Sequence, residues 1–434
     1  MDFPKGFKEK YEEILGQEAI EFFETFNEPP VSAFRINPLK ETVKPFPDKI
    51  PNTNWSYYGK ISGKSVEHVT GLVYSQEPAA QMVAQVASPK EHQKVLDLAA
   101  APGGKTTHLL SYLNNTGLLV SNEINRKRSK ILVENIERFG ARNVVATNES
   151  ADRLASCFQN YFDVIVLDAP CSGEGMFRKQ ADATQYWSED YPKQCAKTQK
   201  EILKETIGML ATNGELVYST CTWSPEENEE IVTWLVTEFP LELIEVPKVN
   251  GMDAGIDYPE AARMYPHHFK GEGQFVAKFR LLEKRNSPKI KSRKTSLTAE
   301  QRKLWKSFED KHLKVHLEGI LETFGDQLYL IPKGLPDISK LRIARNGLHL
   351  GTYKKNRFEP SFALGLALKP SEVTNTIEID EEDFINYIAG EAIHLSHDYT
   401  SGWYQLLVQG NGLGFAKITG KILKNYFPKG LRFR

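Results

Sequence analysis

Between residues 71 and 283, short β-branched runs alternate with helical patterns, and this alternation constrains the fold more than any other feature of the chain. The runs are KVLDL, GLLVSNE, NVVATN, FDVIVLDAP and GELVYSTCTW. THLLSYL, RKRSKILVENIERFG and KTQKEILKETIGML lie between them, and EENEEIVTWLVTEF follows the last. A strand that rejoins its sheet through a helix lies parallel to its predecessor, so the pattern predicts an α/β domain with a parallel sheet and helices on both faces. QFVAKFRL, at residues 274–281, reads as a last strand. The chain of 434 residues is too long for one core of ~150 residues, so further domains flank this one.

Residues 7–26 carry apolar positions at helical spacing and lead into Pro29-Pro30 and a proline-broken stretch, which predicts a small N-terminal module over 1–70, an RNA-binding one by the family resemblance given below. Residues 284–306 hold nine Lys and Arg against one acid, with Ser, Thr and Pro interspersed. This predicts a basic linker over 284–298, then a small α+β domain over 299–370 and a last domain over 371–434. A formal charge of −1 conceals segregation: 338–358 carries six basic and no acidic residues, 371–392 seven acidic and no basic, and 415–434 six basic and no acidic. One such segment is ordinary for solvated loops and helix faces; three basic ones in one half point to a polyanionic partner. The cofactor-binding motifs discussed below all precede the linker, so a chain ending near residue 283 is expected to keep cofactor binding.

No run approaches the ~18 apolar residues of a membrane helix, and the start, MDFPKGFKEKYEE, is charged where a secretory signal is apolar. A cytoplasmic, membrane-free monomer is expected. Cys157, Cys171, Cys195 and Cys221 are 14, 24 and 26 residues apart, with no C-x-x-C pair and no His at ligand spacing, so neither a disulfide scaffold nor a metal site is expected.

VLDLAAAPGGKTTHLL, at 95–110, is a buried strand, a small-residue turn and a helix, the layout that offers backbone N–H groups to a nucleotide-like ligand. Ala99 to Thr106 also fits a relaxed phosphate-loop pattern, with Gly104, Lys105 and Thr106 in its last three places, and VIVLD would serve as the acidic strand of an NTPase. Against that alternative, Pro102 has no N–H for a phosphate, and Ala100 and Ala101 stand where a wrapped phosphate favours flexible residues. Glu123, 18 residues after Lys105, ends the second strand where an acid receives ribose hydroxyls in Rossmann-like folds.

Cys171 and Cys221 follow the C-terminal ends of the fourth and fifth strands, beside Pro, Ser, Gly and Thr, and should face the ligand crevice of an open α/β sheet. Cys157 and Cys195 read as small core hydrophobes. Ser224-Pro225-Glu226-Glu227 has the signature of a helix start just after Cys221. Two thiols, an acid and a nucleoside-like cofactor suit few reactions. One is methylation of cytosine at C5: a thiolate adds to C6, C5 becomes an enamine-like carbon that accepts a methyl from a sulfonium, and loss of the C5 proton frees the thiol. An acid near N3 and N4, here Asp168, can hold the developing charge.

AAAPGGKT, Glu123, DAPCSGEG and YSTCTWSPEENE resemble the motifs of the RNA (cytosine-5) methyltransferases, and the resemblance covers residues 71–283. It implies a Rossmann-like methyltransferase domain that uses S-adenosylmethionine, with Cys221 as nucleophile and Cys171 assisting product release. The cofactor contacts it implies are Ala99, Ala100, Ala101, Pro102, Gly103, Gly104, Lys105, Glu123, Arg128 and Asp168. Relatives often have an Asp near the adenine after the third strand; here Ser150 occupies the matching place, with Glu149 and Asp152 as alternatives. RMYPHHFKGEGQFVAKF, RNGLHLG and GFAKITGKILKNYFPKGLR resemble the bacterial 16S rRNA methyltransferase F group, which adds a small domain and a PUA-like RNA-binding domain. The implied partner is 16S rRNA or the small ribosomal subunit, with transfer RNA as the alternative substrate.

Overall fold

The computed structural model describes residues 1–41, 45–290 and 294–433. Helices Phe7–Leu15 and Ala19–Glu24 open the chain, followed by a small antiparallel sheet of β1 (Ala33–Ile36), β2 (Ser56–Tyr58) and β3 (Val73–Ser75) in the order β2-β1-β3. β4 (Lys94–Asp97), β5 (Leu118–Asn122), β6 (Val144–Thr147), β7 (Phe162–Asp168) and β8 (Leu210–Thr220) then form a parallel sheet ordered β6-β5-β4-β7-β8. These are the five predicted runs, almost wholly apolar in their middles because both faces are covered. β9 (Leu241–Ile244), β10 (Asp253–Ala254), β11 (Ala262–Met264) and β12 (Gln274–Leu281) close one edge, with β12 antiparallel to β8.

The order reverses at β4, which pairs with β5 on one side and β7 on the other. A crevice opens outside the strand ends at such a switch point. Asp97, Asn122, Asp168 and Thr220 end their strands there.

The α/β fold with its flanking regions is as expected, but the flanks are woven into the central domain. Phe7, Tyr11, Phe22 and Phe26 share an apolar cluster with Phe177, Trp187, Trp223 and Tyr265, which follow β7, β8 and β11. The N-terminal helices thus brace the loops that leave the strand ends.

Past the linker come helix Ala299–His312, β13 (Ile320–Phe324), β14 (Gln327–Ile331), β15 (Ile343–Arg345), β16 (Leu348–Lys354) and β17 (Arg357–Pro360). β13, β14, β16 and β17 make their own sheet, whereas β15 joins the central one, antiparallel to β6. Ile331, Leu335, Ile338 and Leu341 are buried in the core on one face of the central sheet. The expectation that a chain ending near 283 keeps an intact cofactor domain therefore conflicts with the packing.

The basic segments are also partly structural. Arg345 is buried and donates to the Val144 and Ala141 carbonyls, and Arg285 donates to those of Ile207 and Leu210. Lys291, Arg293 and Arg434, counted in the basic segments, lie outside the described residues. The PUA-like end is a five-stranded sheet of β18 (Thr376–Ile379), β19 (Ile393–His394), β20 (Gly402–Val408), β21 (Asn411–Thr419) and β22 (Ile422–Lys424), with helix Glu381–Ala389 beside it. Among the described residues, no helix is long and apolar enough to cross a membrane.

Candidate active site

The glycine-rich turn leaves β4 at Asp97, whose buried carboxylate accepts the Thr106 hydroxyl at 2.6 Å and is pushed up to about 7 by burial. Gly103 has a φ of 115°, and a Cβ there would stand 3.3 Å from both Leu132 and Asn135. Only glycine brings this turn so close to helix Arg126–Phe139. Arg128 donates to the Ala101 carbonyl at 2.6 Å and Asn135 to that of Pro102 at 2.7 Å. From β1, the fully buried Arg35 donates to the Gly104 carbonyl at 2.7 Å and to Thr107 at 2.8 Å. This brace was not found from sequence, since nothing local marks an arginine 69 residues away as its partner.

A cavity of about 300 Å³ runs from Asn122 and Glu123 to Cys171 and Cys221. Of the expected residues, Ala99, Ala101, Glu123, Arg128, Ser150, Asp168, Cys171 and Cys221 line it. Ala100, Pro102, Gly104 and Lys105 line instead a second cavity of about 420 Å³ beside Tyr74, Lys179 and Gln274. Ala99, Ala101, Arg128, Asp168 and Cys221 face both, and Gly103 lines neither. Glu123 is buried, accepts the Asn125 N–H at 2.8 Å through Oε1, and keeps Oε2 3.6 Å from Arg128.

Of the three candidates after β6, Asp152 is exposed and lines neither cavity. Glu149 lines the first but is taken up by Arg342, which approaches its oxygens at 2.8 Å through the backbone and 3.1 Å through the guanidinium. Ser150 stands between them at the cavity wall.

Lys105 Nζ lies 2.6 Å from Asp168 Oδ2, while Asp168 Oδ1 accepts Ser219 at 2.7 Å and Gln274 at 3.0 Å. The lysine and the acid that the phosphate-loop alternative would place on a nucleotide and its magnesium are here paired with each other.

The Cys171 and Cys221 sulfurs are 3.0 Å apart, and the Cys221 N–H donates to Cys171 Sγ at 3.3 Å. The Cys171 thiol is pushed well up, first by its hydrogen bond with Cys221 and then by burial. Cys157 packs against the sheet core, as expected.

Two buried carboxylates tie the thiol loops together. Glu174 accepts Trp187 Nε1 at 2.7 Å, Thr222 at 2.6 Å and Ser224 at 2.8 Å, and also Tyr11 Oη from the N-terminal helix. Glu227 accepts the Ser172 N–H at 3.1 Å and Gln199 at 2.7 Å, and burial pushes its carboxyl up to about 8.

The expected helix start after Cys221 is displaced as a result. Ser224 does not cap; Pro225–Glu227 is a single 3₁₀ turn, and the α-helix begins at Glu229. Gly175 and Gly273 pass each other closely here, since a Cβ on Gly175 would lie 2.6 Å from the Gly273 backbone.

The family described as 16S rRNA methyltransferase RsmB/F matches residues 84–280. The ribosomal RNA small subunit methyltransferase F of Shewanella loihica is 31% identical over 95% of this chain and 91% of its own length. This chain belongs to the RsmB/F family. The N-terminal, first C-terminal and PUA domains of the RsmF methyltransferases match residues 3–78, 307–368 and 374–433. The Vibrio campbellii methyltransferase F is 29% identical over 99% of this chain and 97% of its own. A crystal structure of a methyltransferase homologue from Pyrococcus horikoshii, 30% identical, superposes with a TM-score of 0.57 over 64% of this chain and 94% of that one.

Proposed function

We propose that this chain, a methyltransferase of the 16S rRNA family, transfers a methyl group from S-adenosylmethionine to C5 of a cytosine in 16S rRNA through a covalent cysteine adduct. The observation that carries this reading is the pair of thiols 3.0 Å apart on the wall that Glu123 and Asp168 share. The residues fit the cofactor: Glu123 directly follows β5 and lines the cavity, where its carboxylate would receive ribose hydroxyls, and Ser150 on the same wall would contact the adenine. When bound, S-adenosylmethionine would supply a methyl on a positively charged sulfur.

Cys221 adds to C6 of the ring as its thiol proton passes to N3, and C5 then carries the electron density that accepts the methyl; the N3 proton is given up to water when the adduct breaks down. Asp168, oriented by Lys105, Ser219 and Gln274, holds the charge that develops at N3 and N4. Removal of the C5 proton lets Cys221 leave. Cys171, whose thiol keeps its proton, has its sulfur 3.0 Å from that of Cys221, placed to hand that proton to the departing sulfur and take the C5 proton in exchange.

The test is a denaturing gel after incubation with S-adenosylmethionine and a 16S rRNA fragment or transfer RNA. Cys221→Ala is expected to give neither product nor adduct, and Cys171→Ala to methylate once and stay joined to the RNA. An adduct with Cys221→Ala reverses the two roles. Turnover of transfer RNA but not of the 16S rRNA fragment overturns the substrate assignment.

A further inference from the structure

On the face where the N-terminal helices meet the loop between β11 and β12, Glu18, His267 and His268 bring three donor atoms within 4.8 Å of one another. The His267 side chain is only 2% exposed, yet neither ring nitrogen has a hydrogen-bond partner among the described residues. Its Nε2 stands 3.6 Å from Glu18 Oε2, just past hydrogen-bond reach. His268 Nε2 is 4.0 Å from the same oxygen.

The other nitrogen of His268, Nδ1, lies 3.0 Å from Asp253 Oδ1. A carboxylate on one imidazole nitrogen fixes the tautomer and leaves a lone pair on the other, the arrangement that supports metal-bound histidines.

We propose that Glu18, His267 and His268 bind a divalent cation of the zinc class, with water completing the coordination and Asp253 orienting His268. Ligands at ~2.1 Å in tetrahedral geometry stand about 3.4 Å apart, so a small inward swing of the more exposed Glu18 and His268 closes the site around buried His267. Two imidazoles and one carboxylate suit zinc, cobalt or nickel better than magnesium or calcium. The ion would clip the N-terminal helices to the segment leading into β12, where Gln274 donates to Asp168. Cysteine spacing does not reveal such a site, because its ligands come from residues 18, 267 and 268 and contain no sulfur.

The test is calorimetry of zinc chloride into the full, untagged, chelator-treated chain, with cobalt chloride absorption as a second readout. One equivalent is expected to bind, and zinc is expected to raise the melting midpoint. His268→Ala and Glu18→Gln should remove both effects, and Asp253→Asn should weaken binding about tenfold. The cobalt spectrum should lack thiolate charge-transfer bands. Absence of uptake, uptake unchanged in His268→Ala and Glu18→Gln, or thiolate bands that place the metal on Cys171 and Cys221, would each overturn the proposal. None of these readouts depends on methyl transfer.

Discussion

Ending the chain after residue 283 is expected to collapse the central domain rather than release it intact. Ile331, Leu335, Ile338 and Leu341, 0%, 1%, 1% and 7% exposed, fill the core on one face of the central sheet. At ~1.5–3 kcal/mol per buried side chain, the four contribute about 6–12 kcal/mol, an upper range because the unfolded chain also buries some surface. A whole domain is stable by only ~5–15 kcal/mol. The truncation also strips β15 from the edge of β6 and removes Arg342 from the buried Glu149 beside the first cavity. Thermal melts by circular dichroism, with calorimetry of S-adenosylmethionine, compare residues 1–283 with the full chain. Loss of the cooperative transition and of cofactor binding is expected. As a milder form of the same test, Leu335→Ala in the full chain should cost ~2–5 kcal/mol. If residues 1–283 melt within a few degrees of the full chain and bind cofactor equally well, the packing argument is refuted.

Glu123→Ala should weaken S-adenosylmethionine binding by ~1–3 kcal/mol, the usual loss with a charged hydrogen-bond partner; unchanged calorimetric affinity removes Glu123 from the cofactor site. Glu227, pushed up to about 8, keeps its proton in the fold at pH values where an unfolded glutamate, near ~4.3, has lost it. Its contribution to stability is therefore fully present below ~4.3 and is lost as pH rises to about 8, with a slope of at most ~1.4 kcal/mol per unit. Glu227→Gln should flatten denaturant-derived stability across that window relative to the wild type, and parallel profiles would show that Glu227 is ionised in the fold.

The strands and the identity of the thiol loops are legible in the sequence because each is marked locally. A run such as FDVIVLD must be buried on both faces, and a small-residue turn between strand and helix places its neighbours at the strand ends wherever the rest of the chain goes. Cys171, Cys221, Asp168 and Glu123 fall on one cavity for that reason. What the sequence does not reveal is which polar groups pair across long separations. Ser224 and Glu227 carry a helix-start signature, yet Glu174 takes the serine and Ser172 takes the glutamate, 50 and 55 residues away. Arg342 and Arg345 count as surface charge in a basic segment, and the edge of the central sheet uses them to satisfy Glu149 and two buried carbonyls. Local periodicity decides where a strand or helix lies, because it acts over a few residues. Only the assembled fold decides the partners of buried charges, because desolvation forces each to the nearest available partner, and nearness is a property of the packed chain.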